Sequence, residues 1–187
     1  MKKRRGLTLI ELLISIALMG TIVIAISSMY IIGFKTFREE LAQSQLESNA
    51  QTVLDEITND TKNAQSVEEI YGSYSSGTNS IVLKVPAINS NKDIIYSGNT
   101  MLFDRIIYYY ENNRIHKITL AEATSSRYKE NNIDKIIDNK TLQLTFTYDP
   151  NEASATLVTI NVSSLQQVGK INRTISLISK ARLRNHL

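Results

Sequence analysis

From Leu7 to Phe34 the chain runs for 28 residues with one formal charge, Glu11, and no proline. As an α-helix, at about 1.5 Å per residue, this run is about 40 Å long, more than the roughly 30 Å hydrocarbon core of a bilayer. It must be covered by lipid or by other apolar helices, and that requirement constrains the rest of the chain. Lys2, Lys3, Arg4 and Arg5 stand directly before it. Positive residues favour the cytoplasmic side, so the N-terminus is expected in the cytoplasm and everything after Lys35 outside.

The same four residues explain the charge balance. The formal net charge is +3 with a pI near 9.0, which taken whole suggests an anionic partner. Setting them aside leaves 17 basic against 18 acidic residues in a chain of 187. The absence of cysteine excludes a disulfide framework, a thiol nucleophile and thiolate metal sites. His116 and His186 are the only histidines, so the inventory for metal or acid/base chemistry is thin. No cofactor, metal site or catalytic residue is expected.

A removable secretory signal also begins with basic residues followed by an apolar stretch. Its apolar part is about 7–15 residues long and ends at an A-x-A-like site, and neither holds here. A plain signal anchor ahead of an extracytoplasmic domain remains open. It gives no reason for Gly6 at the charge boundary or for a carboxylate inside the apolar run.

Those two features carry a resemblance. The string Lys3-Arg4-Arg5-Gly6-Leu7-Thr8-Leu9-Ile10-Glu11-Leu12-Leu13-Ile14-Ser15 resembles the class III signal of type IV prepilins and pseudopilins, with its short basic leader, Gly, apolar residues and then Glu. The resemblance implies that a prepilin peptidase cuts between Gly6 and Leu7 and methylates the new amine of Leu7. It further implies that Glu11, the fifth residue after the cut, serves assembly. The family prefers Phe at the position held by Leu7 and tolerates other apolar residues there. Taken singly, Gly6 could be a permissive loop residue, and Glu11 a first-turn carboxylate favoured by the helix dipole. Together they place a positive amine about 6 Å along a helix from a carboxylate.

After Phe34 the pattern becomes amphipathic. Leu41, Ala50, Val53, Leu54, Ile57, Thr61 and Ala64 recur at helical spacing among Glu39, Glu40, Glu47, Asp55, Glu56 and Asp60. The helix is expected to continue to about Ala64 and to pack on its own domain, because sustained heptads for a coiled coil are absent. Strands are expected from Tyr71 onward. Ser73 to Ser80 reads as a loop, followed by a strand Ile81–Val85 ended by Pro86. Ile106–Glu111 and Arg114–Leu120 flank Asn112-Asn113, which suits a two-residue hairpin turn. Tyr108-Tyr109-Tyr110 within it reads as sheet packing rather than ligand stacking. Residues 121–140 are polar and irregular, with Ile133, Ile136 and Ile137 pinning a short element. Leu142, Leu144, Phe146 and Tyr148 alternate with polar residues, so one strand face is buried. A turn at Asp149-Pro150-Asn151 leads to strands at Thr156–Val162 and Asn172–Leu183.

One long helix followed by strands without intervening helices reads as α+β with an antiparallel sheet, an order that also fits the pilin architecture. The expected organisation is a leader at 1–6, a membrane or filament-core helix at 7–34, its amphipathic continuation at 35–64, and an antiparallel sheet domain at 65–187. The Ile106–Lys117 hairpin and the ending Lys180-Ala181-Arg182-Leu183-Arg184-Asn185 also resemble J-type minor pseudopilins and W-type minor pilins.

The resemblance implies a structural, minor subunit of a type IV pilus or of a type II secretion or competence pseudopilus. Its partners would be the prepilin peptidase, other pilin or pseudopilin subunits, the assembly platform protein and ATPase, and the membrane. The subunit would be stored as a single-pass protein of the cytoplasmic membrane, then assembled at the cell surface or in the periplasm. A second class is a tip subunit for adhesion or DNA uptake. From Ala153 onward there are five basic residues, Lys170, Arg173, Lys180, Arg182 and Arg184, and no acidic ones, which leaves nucleic acid as a partner to consider. Basic residues on an edge strand also guard against edge pairing. An enzyme is the third class, and no P-loop, G-x-S-x-G or H-E-x-x-H motif is present.

Overall fold

The computed structural model describes residues 8–138, 141–168 and 171–184. The chain forms two compact units, Met1–Ala42 and Gln43–Leu187. A 55-residue helix, α1 (Leu9–Asn63), begins in the first and ends in the second.

In the first unit every described apolar side chain of the run is exposed, from Leu9 at 80% to Phe34 at 54%. In the second unit α1 buries one stripe, Leu46, Ala50, Val53, Leu54, Ile57, Thr58 and Thr61, the 3–4 spacing of one helical face. Leu41, which the periodicity placed on this stripe, is 48% exposed. Within the second unit the covered face of α1 starts at Leu46. Lys62 favours the negative end of the helix dipole. Past Asn63 the Gln65 N–H donates to the Lys84 carbonyl at 2.8 Å, which turns the chain into the sheet.

Among the described residues twelve strands follow. They are β1 (Ser66–Val67), β2 (Ile70–Tyr71), β3 (Tyr74–Ser75), β4 (Ser80–Pro86), β5 (Tyr96–Ser97), β6 (Thr100–Met101), β7 (Phe103–Glu111), β8 (Arg114–Leu120), β9 (Asp134–Asp138), β10 (Thr141–Asp149), β11 (Leu157–Val168) and β12 (Ile171–Arg182). The fold is α+β, with the long helix packed on antiparallel sheet. There are two main sheets, β1-β4-β7-β8-β9 and β10-β11-β12, besides the hairpins β2-β3 and β5-β6. A single core joins both sheets to the helix. Ala50, Val53, Leu54 and Ile57 of α1 pack with Ile81 and Leu83 of β4, Ile106 and Tyr108 of β7, Leu144 and Phe146 of β10, and Val158 and Ile160 of β11. Each fully buried Leu, Ile, Val or Phe contributes about 1.5–3 kcal/mol.

The β7–β8 hairpin turns on Asn112 and Asn113 at φ 51° and 60°, the left-handed pair a type I′ turn requires. Its three tyrosines separate by face. Tyr108 is buried in the helix-side core, Tyr109 packs against Val82, Ile107 and Ile118 on the opposite face, and Tyr110 is partly buried. Ser73–Ser80 is not wholly loop. Tyr74–Ser75 pairs back on Ile70–Tyr71, because Gly72 at φ 61° permits the tight turn and Tyr71 and Tyr74 cover the opposite sheet face.

Strand structure also begins earlier than expected, at Ser66. Within residues 121–138, Ser126–Glu130 is a 3-10 helix and Asp134–Asp138 is the edge strand β9. Ile137 packs on the core, whereas Ile133 and Ile136 are 54% and 46% exposed. Ile133 lies before β9, and Ile136 lies on it, at the edge of the sheet.

Candidate functional site at the N-terminal end of the long helix

Lys2, Lys3, Arg4, Arg5, Gly6 and Leu7 lie outside the described residues. Glu11 stands in the first turn of α1 and is exposed. Its Oε2 accepts hydrogen bonds from the Thr8 backbone N–H and the Thr8 hydroxyl, both at 2.9 Å. The Glu11 N–H in turn approaches Thr8 Oγ1 at 3.4 Å. This is a reciprocal capping box, with Thr8 closing the helix start and Glu11 reaching back to it. Sequence reasoning passed over Thr8. The Thr-x-x-Glu spacing ahead of an apolar run is the signal that would have found it.

Three further hydroxyls of the apolar stretch turn inward on the helix itself. Ser15 donates to the Glu11 carbonyl at 2.8 Å, Thr21 to Leu18 at 2.7 Å and Ser28 to Ile24 at 2.8 Å. Lipid offers no hydrogen bonds, so a spanning segment must satisfy its polar groups internally. These three hydroxyls meet that condition, and Glu11 is the one side chain of the described run that carries a formal charge. In length and composition α1 is able to cross a membrane.

In the second unit, polar groups of α1 serve packing. Asp60 Oδ2 accepts from Tyr108 Oη at 2.6 Å and from Lys117 Nζ at 2.9 Å, and Lys117 Nζ also donates to Glu56 Oε1 at 2.8 Å. Burial, the Asp60 carboxylate and Glu56 all push the Tyr108 phenol far above the usual tyrosine range. Burial opposes the Lys117 charge, but Asp60 and Glu56 outweigh it and raise the ammonium above its ordinary value. Glu56 and Asp60 therefore clamp the helix to β7 and β8.

His116 pairs with Asp134 at 2.9 Å through Nδ1 and stacks on Tyr109, with ring centroids 4.7 Å apart. Burial and the Asp134 hydrogen bond push the Tyr109 phenol up to about 12. This group ties edge strand β9 to the sheet. Among the described residues no cluster of three or more His, Cys, Asp or Glu is placed to hold a metal ion. His186 and Lys170 lie outside the described residues. Arg173, Lys180 and Arg182 are exposed along β12, an edge strand, where basic side chains discourage pairing with another sheet.

Residues 1–27 match the family model of the prokaryotic N-terminal methylation motif. No curated protein and no solved structure matches the chain. The chain carries a type IV prepilin-like class III signal at its N-terminus. The motif supports a type IV pilin-like or pseudopilin-like protein, and the long helix on an antiparallel sheet domain is consistent with that. An N-terminal apolar helix behind such a signal fits a single-pass membrane anchor.

Proposed function

We propose that this chain is a structural, minor subunit of a type IV pilus or of a type II secretion or competence pseudopilus. It performs no chemistry itself. The match of residues 1–27 to the methylation motif carries this reading. Lys2, Lys3, Arg4 and Arg5 hold the leader on the cytoplasmic side. A prepilin peptidase cuts between Gly6 and Leu7 and methylates the Leu7 amine, and the apolar helix stays on the mature protein in the membrane with the sheet domain outside. The platform protein and ATPase then extract it into a filament with other pilin subunits.

Glu11 gives the assembly step its register. The Thr8 hydrogen bonds satisfy its carboxylate oxygen but bring no positive charge. Once α1 is packed among other apolar helices, an unpaired carboxylate becomes costly, and the Leu7 amine of a neighbouring subunit is the natural counter-ion. Desolvation offsets much of the attraction, so such a pair specifies position more than it adds stability.

Mass spectrometry of the mature N-terminus tests the processing. A chain beginning with methylated Leu7 is expected, and one beginning at Met1 or beyond Phe34 refutes the reading. Glu11→Ala is expected to be cleaved and inserted yet to fail recruitment into filaments; normal recruitment would remove the role given to Glu11.

A further inference from the structure

The second unit contains a cleft of about 300 Å³ where separate parts of the chain converge. Ile88 and Ile94 from the loop after β4 give it a partly exposed apolar wall, and Val85 and Pro86 at the end of β4, both buried, complete the lining. Three cations line it, Lys92 from that loop, Arg127 from the 3-10 helix and Arg184 just past β12.

These cations are held by built structure. The loop is closed by an Ile88–Ile94 bridge, and Asn89 Oδ1 accepts the Asn91 and Asp93 N–H groups at 2.8 and 3.0 Å. Lys92 sits in the loop at φ 68°. The Arg184 N–H donates to the Ala64 carbonyl at 3.0 Å, which fixes the backbone that bears the side chain. Arg127 Nη1 donates to Asp104 Oδ2 at 2.7 Å and to the Pro86 carbonyl at 3.0 Å.

The charge is left unbalanced. Asp104 is wholly buried and already accepts from the Glu122 N–H, the Ser125 hydroxyl and Arg127, so it is committed to those donors. Asp93, beside Lys92, accepts from Asn89 Nδ2 at 3.3 Å and keeps its charge, so the three cations outnumber the two carboxylates by one. Lys92 and Arg184 form no side-chain ion pair among the described residues. With Nη1 occupied, Arg127 retains Nε–H and Nη2–H, the parallel pair that matches a two-oxygen acceptor.

We propose that this cleft binds a carboxylate carried on a short apolar stem. The excess positive charge selects an anion, the remaining Arg127 fork fits a carboxylate, and the partly exposed Ile88 and Ile94 cover the stem. A bare phosphate would leave that wall in water. The site is independent of the processing assigned to the N-terminal segment, because every residue in it belongs to the second unit.

The experiment titrates the detergent-solubilised full chain, methyl-labelled at Ile and Val, near pH 7. Hexanoate should shift the Ile88, Ile94 and Val85 resonances saturably and bind at least ten-fold more tightly than hexylamine or inorganic phosphate. Arg184→Glu and Lys92→Gln should each weaken hexanoate at least several-fold, with the Ile57 and Val158 resonances unmoved as a check on folding. A short peptide ending in a leucine carboxylate, run beside its C-terminal amide, separates a polypeptide terminus from a free acid as the source. Tighter binding of the peptide acid than of hexanoate assigns the terminus, and the reverse assigns the free acid. No saturable shift with either acid, equal binding of hexylamine or phosphate, or unchanged binding in both variants overturns the proposal.

Discussion

Tyr108 donates a 2.6 Å hydrogen bond to Asp60, 48 residues away, and thereby joins a strand tyrosine to a helix carboxylate at the edge of the core. Lys117 completes the contact from the neighbouring strand at 2.9 Å. Asp60→Ala removes the acceptor for a buried phenol and one of the two carboxylate partners of a partly buried ammonium, which keeps Glu56. Leaving the phenol unpaired costs more than the net value of its bond, so a loss of about 2–3 kcal/mol is expected. Denaturant unfolding of the detergent-solubilised chain measures it, and a loss under about 1 kcal/mol would show that water replaces Asp60 without penalty.

The same contact makes stability sensitive to alkali. Tyr108 and Lys117 both keep their protons in the folded state beyond their ordinary values of 10.0 and 10.5. Above about pH 10 the unfolded chain gives up protons that the folded chain retains, so stability falls as pH rises and is fully present below that pH. A wholly buried group contributes a slope of about 1.4 kcal/mol per pH unit, and partly solvated Lys117 contributes less. Tyr108→Phe is expected to flatten the decline between pH 10 and 12, read from unfolding curves at each pH. An unchanged slope would exclude Tyr108 as its source.

Asp104 anchors residues 122–127 to β7 with three hydrogen bonds at 2.7–2.9 Å. Asp104→Ala leaves the Arg127 guanidinium and the Ser125 hydroxyl without their acceptor. A cost of about 3 kcal/mol is expected for breaking such a buried pair, together with faster proteolytic cleavage between Glu122 and Asn131. Limited proteolysis with mass mapping of the cut sites checks this, and cleavage there at the rate of the unsubstituted chain would contradict it.

Thr8 closes the start of α1 through its bonds with Glu11. Thr8→Ala should loosen the first turn by about 1 kcal/mol, seen as roughly five-fold faster amide exchange at Leu9 to Leu12 in detergent. Thr8→Ser should restore the slower exchange. Equal exchange in all three proteins would mean that the cap does not hold the turn.

The β7–β8 turn distinguishes backbone demand from side-chain contact. Asn113 stands at φ 60°, so Asn113→Gly is expected to change stability by no more than a few tenths of a kcal/mol. Asn113→Val forces a β-branched residue into the left-handed region and should cost about 1–2 kcal/mol. Thermal unfolding compares the two, and equal effects would argue against the turn assignment.

What the sequence by itself determined is local or periodic. The apolar run, Glu11 within it and the basic residues before it specify a helix that needs an apolar environment, because charge and length act without reference to any fold. Asn112-Asn113 specifies its own turn for the same reason, and the alternation of Leu144, Phe146 and Tyr148 specifies a buried face. Thr8 was equally local, since its partner is three residues away. The tertiary structure alone decided what joins distant residues. It divided the strands into two main sheets and two small hairpins, left Leu41 exposed and buried Leu46, made Glu56 and Asp60 partners of Lys117, and gathered Lys92, Arg127 and Arg184 around one cleft. Periodicity records which side of an element is apolar. Only the packed fold, where burial must be matched by a neighbour and each buried charge by a partner, determines which neighbour that is.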